Sequence, residues 1–264
     1  NGNTSPTSSR SHTNSAHGPN SAANAGVPAG PAPSPSHTAN STSCATSAHA
    51  SQRENRTSGS SGSFTYNVTG ALANRPVVYV SMFDAARFAN WMMNGQGAGS
   101  TETGAYTLTG NTGIITKNSG ATAYLPSEDE WYKAAYYDPT PGAGGGDNYW
   151  LYASQSDTVP TVAAANATGD ITNPGANVVN YASGADWNSQ IGNVTTVGSA
   201  AANNYFGTAD QAGNVSEWND AVINTTKRGI RGATWSGIPS DAREYARYSA
   251  APTTESNKMG FRVA

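Results

Sequence analysis

The sequence keeps cysteine and histidine out of the part of the chain that has the residues to fold. The single cysteine, Cys44, and all four histidines (His12, His17, His37 and His49) lie before residue 63. That stretch also lacks Leu, Ile, Met, Phe, Tyr and Trp, and Val27 is its only large aliphatic residue. Ser, Thr, Asn, Ala, Gly and Pro make up nearly all the rest, as in AGVPAGPAPSPSHTANSTS (25–43). Such a composition buries too little apolar surface to offset roughly 1–2 kcal/mol of backbone entropy per residue, so residues 1–62 are expected to be disordered. All six Trp and every Tyr and Phe come later, which places the core within 63–264.

Each absence excludes a chemistry. A folded part without His or Cys has no Ser-His-Asp or Cys-His nucleophilic site, no histidine-bound zinc or iron, and no disulfide. The tail histidines follow no ligand spacing. Only 12% of the residues are charged and the net charge is −3, so no strong field draws the chain to nucleic acid or an anionic membrane. No apolar run reaches the roughly 18–20 residues that span a bilayer. The first residue is Asn1, with no charged-then-apolar leader after it. The sequence therefore reads as a fragment or a processed form that does not report its own targeting.

What is present reads as an irregular α+β domain. SFTYNV (63–68) alternates as a strand does, and RPVVYV (75–80) reads as a second, more buried one. SMFDAARFANWMMNG (81–95) reads as a helix capped by Ser81 with Asp84, stopped by Asn94-Gly95. Its expected apolar face is Phe83, Ala86, Phe88, Trp91 and Met92. LPSEDEWYKAAYYDP (125–139) gives a second helix, with Ser127 and Glu130 as a capping box and Asp138-Pro139 as its end. The acids Glu128, Asp129 and Glu130 suit the helix start rather than catalysis. Between 139 and 202 the chain is rich in Gly, Asn and Thr with isolated Trp150 and Trp187, which points to long anchored loops.

Five pieces then occur in a specific order: PVVYVSMFDAARFANWM (76–92), YLPSEDEWYKAAYY (124–137), YFGTADQAGNVSEW (205–218), RGIRGATW (228–235) and the terminal GFRVA (260–264). As a set they resemble the formylglycine-generating enzyme (sulfatase-modifying factor) family over residues 63–264. The resemblance implies a loop-rich variant of the C-type lectin fold with little regular secondary structure. It also implies a first strand and helix upstream of Ser63, where this chain carries its Ser/Asn/Pro-rich segment. One hypothesis is that residues 1–56 are a shifted reading frame over that region; a parent nucleotide sequence with no family-like strand and helix in its other frames would sink it.

The resemblance also bears on activity. Family oxidases hold copper with two cysteines between the RGGSW-like motif and GFR. Here residues 233–259 contain none, and Ser236, Gly237 and Pro239 stand about where thiolates are expected. None of these ligates soft Cu(I), so copper is not expected. The related sulfoxide synthases bind iron through histidines that the folded part lacks, so iron is not expected either. Formylglycine-generating oxidase activity is accordingly not expected.

Calcium takes six to eight oxygen ligands. DQAGNVSEW (210–218) offers the Asp210 and Glu217 carboxylates, the Asn214 amide and nearby carbonyls in one turn. The resemblance places Asp210, Gly213, Val215 and Glu217 on a family calcium site, and Asn180, Tyr181 and Asp186 on a second. The competing reading has Asn214 and Glu217 holding loop backbone while Trp218 fills the core. Arg228, Arg231 and Arg262 suit bracing of a loop-rich fold more than lining a pocket. Trp235, Arg243, Tyr245, Arg247 and Tyr248 fall on the face that forms the family's active site, and Tyr and Arg suit a binding surface.

Two functions follow. One is a calcium-stabilised binding or structural module whose 233–259 face takes a protein, peptide or carbohydrate. The other is an oxygen- and metal-dependent enzyme of the same family with cysteine-free chemistry, for which Asp210, Glu217, Asp241 and Glu244 are the available ligands. The resemblance alone favours an exported bacterial protein; the sequence leaves localisation open.

Overall fold

The computed structural model describes residues 54–60, 63–68, 72–110 and 113–264. Residues 1–53, most of the segment expected to be disordered, lie outside the described residues. Strand β1 (Glu54–Ser60) falls in that segment and pairs antiparallel with β2 (Ser63–Val68), the alternating stretch seen in the sequence.

Helix α1 (Met82–Met93) starts where the capping signal places it. Ser81 accepts from the Asp84 N–H at 3.2 Å, and Asp84 Oδ2 accepts from the Ser81 N–H at 3.0 Å. The two groups satisfy donors that the first turn leaves open. The helix buries Met82, Phe83, Ala85, Ala86 and Ala89 against Tyr106, Leu125, Trp218 and Ile230. Phe88, expected on the buried face, is 40% exposed and packs edge-on to Phe261. Trp91 and Met92 are half-buried.

Residues 75–80 form no strand, contrary to the reading of RPVVYV. Tyr79 sits at φ 57, a left-handed conformation that breaks an extended run, and Pro76 has no N–H to give to a ladder. Val77 and Tyr79 are each 40% exposed, so the apolar run does not mark burial.

Helix α2 (Glu128–Tyr136) carries a second reciprocal cap, Ser127 with Glu130. It buries Trp131, Ala135 and Tyr136 among Tyr152, Val179, Tyr181, Ala212, Ala233 and Ala242. After a 3₁₀ turn at Ala143–Gly146, the two-residue strands β3 (Thr161–Val162) and β4 (Val178–Val179) pair in parallel. Side chains such as Asn148, Asn166, Asn173 and Asn177 hold these loops through backbone groups or neighbouring hydroxyls. Such bonds satisfy loop backbone that no ladder reaches.

The remaining sheet has the order β7-β6-β5-β8, from β5 (Ser216–Asn224), β6 (Lys227–Arg231), β7 (Tyr248–Ala250) and β8 (Met259–Phe261). β5 runs antiparallel to β6 and parallel to β8, and Glu217 lies opposite both Arg231 and Gly260. A 3₁₀ turn at Pro239–Ala242 separates β6 from β7. The fold is thus loop-rich, with two α-helices and short sheets among the described residues. No helix among them is long and apolar enough to cross a membrane.

Candidate functional site

The turn before β5 takes its shape from three successive demands on the backbone. Asp210 and Asn214 lie at φ 59 and 63, and Gly213 lies at φ 84. A Cβ on Gly213 would stand 2.4 Å from the Asn180 carbonyl oxygen, so only glycine fits. The turn is thereby pressed onto the segment holding Asn180, whose carbonyl accepts from the Asn214 N–H at 2.8 Å.

Asn214 is 2% exposed and grips the backbone of Thr195, accepting from its N–H at 2.9 Å and donating to its carbonyl at 3.2 Å. Glu217, 5% exposed, instead meets Arg262 at two points, both 2.5 Å, and accepts from the Trp131 indole at 2.7 Å. Asp210 is half-buried and accepts from the Gly198 N–H at 2.7 Å. Burial pushes its carboxyl upward against the opposing pull of that bond and of Arg262. Asp210, Asn214, Val215 and Glu217 line a cavity of about 260 Å³ with Phe261 and Arg262.

Asn180 is 3% exposed, and its Oδ1 is buried without a hydrogen-bond donor. Its amide nitrogen faces the Asn193 carbonyl at 2.8 Å, Thr195 Oγ1 at 3.2 Å and Asn214 Oδ1 at 3.3 Å. Tyr181 is buried, with its hydroxyl donating to the Pro160 carbonyl at 2.7 Å. Asp186 is exposed and accepts from the Gly192 N–H at 2.7 Å, whereas Asn193 and Thr195 occupy the surroundings of Asn180. Sequence reasoning passed over these two; their one clue is the polar alternation in NVT (193–195).

The arginines brace. Arg228 is fully buried and donates to the Asp220 and Ile115 carbonyls. Arg231 binds Glu128 and the Glu244 and Ala246 carbonyls. Glu128 also accepts from Asn219 and pairs with Arg247 at 3.2 Å, so this helix-start acid joins α2 to the sheet.

The 233–259 face holds the other sequence candidates. Trp235 is half-buried, donating to the Asn257 carbonyl at 3.2 Å. Arg243 donates to the Tyr152 hydroxyl at 3.1 Å and lies near the Tyr245 ring. Tyr245, Arg247 and Tyr248 are exposed. Tyr248 donates to Asp241 at 2.6 Å; partial desolvation and this carboxylate push its hydroxyl up to about 12. Asp241 and Tyr248 line a second cavity of about 210 Å³ with Ser216, Gly232, Ala233 and Thr234. Asp210 and Glu217 thus face one cavity and Asp241 another. Among the described residues no three His, Cys, Asp or Glu side chains converge.

The sulfatase-modifying factor enzyme 1-like domain family has a sequence model that matches residues 36–264. No curated protein matches the chain. Among solved structures, CarF is 22% identical with a TM-score of 0.46, over 75% of this chain and 71% of that one. The variable protein 1 of Treponema denticola is 18% identical with a TM-score of 0.47, over 72% and 70%. PvdO of Pseudomonas aeruginosa is 19% identical with a TM-score of 0.40, over 72% and 61%.

Proposed function

The chain belongs to the family of sulfatase-modifying factor enzyme 1-like domains, and from that premise we propose that it is a calcium-stabilised binding or structural module. In this reading the fold is a C-type-lectin-like variant, and the 233–259 face takes a protein, peptide or carbohydrate ligand. Formylglycine-generating oxidase chemistry is absent from the proposal because 63–264 contains no thiol to hold copper.

The observation that carries the calcium assignment is the buried, unmatched Asn180 Oδ1, on a side chain whose amide nitrogen is itself surrounded by the oxygens of Asn193, Thr195 and Asn214. A buried acceptor without a donor costs about 1–3 kcal/mol, and a hard cation removes that cost. Asn180, with oxygens of Tyr181, Asn193 and Thr195, would hold the ion; Asp186 is bound elsewhere and is not needed. The Asp210 turn fits less completely. Asp210 stands there with the backbone of Gly213 and Val215, its Oδ2 on the Gly198 N–H, but the Glu217 oxygens are held by Arg262 and Trp131, and Asn214 is held by Thr195. In either place calcium supplies no reaction chemistry; it fixes loops that have few ladder bonds of their own.

One observation favours the enzyme reading: Asp210 and Glu217 face the same cavity, beside Asn214. Metal analysis of the purified protein separates the two. Calcium alone, at stoichiometric amounts, supports the module; stoichiometric iron or copper overturns it in favour of a metal-dependent enzyme.

A further inference from the structure

We propose that the pocket at Asp241 receives a basic side chain, the ammonium or guanidinium of a lysine or arginine presented by a peptide or protein. This names a ligand class for the 233–259 face and rests on the reading of that face as a binding surface.

Asp241 is the one charged residue lining the 210 Å³ cavity; its companions are Ser216, Gly232, Ala233, Thr234 and Tyr248. Two neutral donors fix the carboxylate. The Tyr248 hydroxyl donates to Oδ1 at 2.6 Å, and the Ile238 N–H donates to Oδ2 at 3.0 Å. These bonds set its position without cancelling its charge, and each oxygen keeps a lone pair for a further donor. Among the described residues Asp241 makes no ion pair.

The cations near it in the chain are committed elsewhere. Arg243 donates to the Tyr152 hydroxyl, Arg247 pairs with Glu128, and Lys258 lies over the Trp235 ring at 5.1 Å. The charge of Asp241 is therefore left for a group from outside. Gly237 keeps the approach open, because a Cβ there would come within 3.1 Å of Asp241 Oδ2. The cavity is smaller than the roughly 300–1,000 Å³ of drug-sized ligand sites, and it matches the end of one long side chain. Tyr248, 44% exposed, offers its ring to the aliphatic stem or the cation. Bracing the 3₁₀ turn is the alternative role for Asp241, and an asparagine would brace it nearly as well. The charge is what distinguishes the two.

The test uses the full chain, labelled with ¹⁵N, and three peptides of the form acetyl-Gly-Gly-X-Gly-Gly-amide with X as lysine, norleucine or glutamate. The lysine peptide is expected to shift the amide resonances of Gly232, Ala233, Thr234 and Tyr248. It should bind at least about tenfold more tightly than the other two, and more weakly as salt is raised. Asp241→Asn should weaken lysine binding by about tenfold or more, whereas Tyr248→Phe, which keeps the ring and the carboxylate, should change it by less than about threefold. Equal binding of the lysine and norleucine peptides overturns the proposal on the unmodified protein, whatever the variants do. So does lysine binding unchanged in a folded Asp241→Asn variant. If norleucine or glutamate peptides shift the face as strongly as lysine, only the basic-group assignment fails. If no peptide shifts any resonance within 233–259, the binding-face reading fails with it.

Discussion

Glu217 and Arg262 meet as a two-point pair, Nε to Oε2 and Nη2 to Oε1, each at 2.5 Å. The pair is joined by the Trp131 indole, so one carboxylate links α2, β5 and the residue following β8. Parallel pairing of β5 with β8 places Glu217 opposite Gly260 and brings Arg262 within reach. The Glu217 side chain is 6% exposed, and a buried charge left without its partner is costly.

Arg262→Ala should therefore lower stability by about 3–5 kcal/mol, while replacing both partners with neutral side chains of similar size should cost less. Urea denaturation of the single and double variants measures this. A loss under about 1 kcal/mol for Arg262→Ala would show that solvent compensates Glu217 and that the pair holds nothing together.

Gly213 and Gly95 provide a matched comparison, since both have positive φ, 84 and 77. A Cβ at Gly95 meets nothing within 4 Å, whereas one at Gly213 stands 2.4 Å from the Asn180 oxygen. Gly95→Ala should cost about 1 kcal/mol from backbone strain alone. Gly213→Ala should cost about 3 kcal/mol or more, because the turn must leave its neighbour. Equal losses would contradict the close approach of the two segments.

Asp220 gives the fold a pH dependence of defined sign. Burial, opposed by Arg228 and Lys117, raises its carboxyl to about 6 from an ordinary value of 3.8. The folded state then binds this proton more tightly than the unfolded chain does. The stability gained from that proton is fully present below about 3.8 and lost as pH rises through about 6. Asp220→Asn resembles the protonated form, so the variant should gain on the parent between pH 4 and pH 7.5 by on the order of 1 kcal/mol. Paired denaturation curves at the two pH values cancel the carboxylates that shift the other way. A variant that loses ground over this range would show the Arg228 interaction outweighing desolvation.

The parts of the fold that were legible in the sequence are those whose chemistry is local. Ser81 with Asp84 and Ser127 with Glu130 stand three residues apart, and both caps form as that spacing predicts. The 75–80 run reads as a strand and is not one, because apolar character does not report φ and Tyr79 turns left-handed. Strand β1 is not legible in the sequence because ENRTSGS carries no apolar residue. At the site, glycine at 213 and the Glu217–Trp218 step were visible as an unusual turn. That Glu217 would meet Arg262, 45 positions on, was not, nor was the convergence of Asn193 and Thr195 on Asn180. Those contacts arise from loop closure, and no local spacing encodes them.

The central claim is that calcium holds these loops, and thermal unfolding with calcium or with EDTA tests it most directly. With calcium about 100-fold above its dissociation constant, ligand linkage supplies about 2.7 kcal/mol, or a rise in Tm of roughly 5–10 °C for a domain of this size. Asn180→Ala should remove most of that rise. An unchanged Tm between millimolar calcium and EDTA would contradict the account.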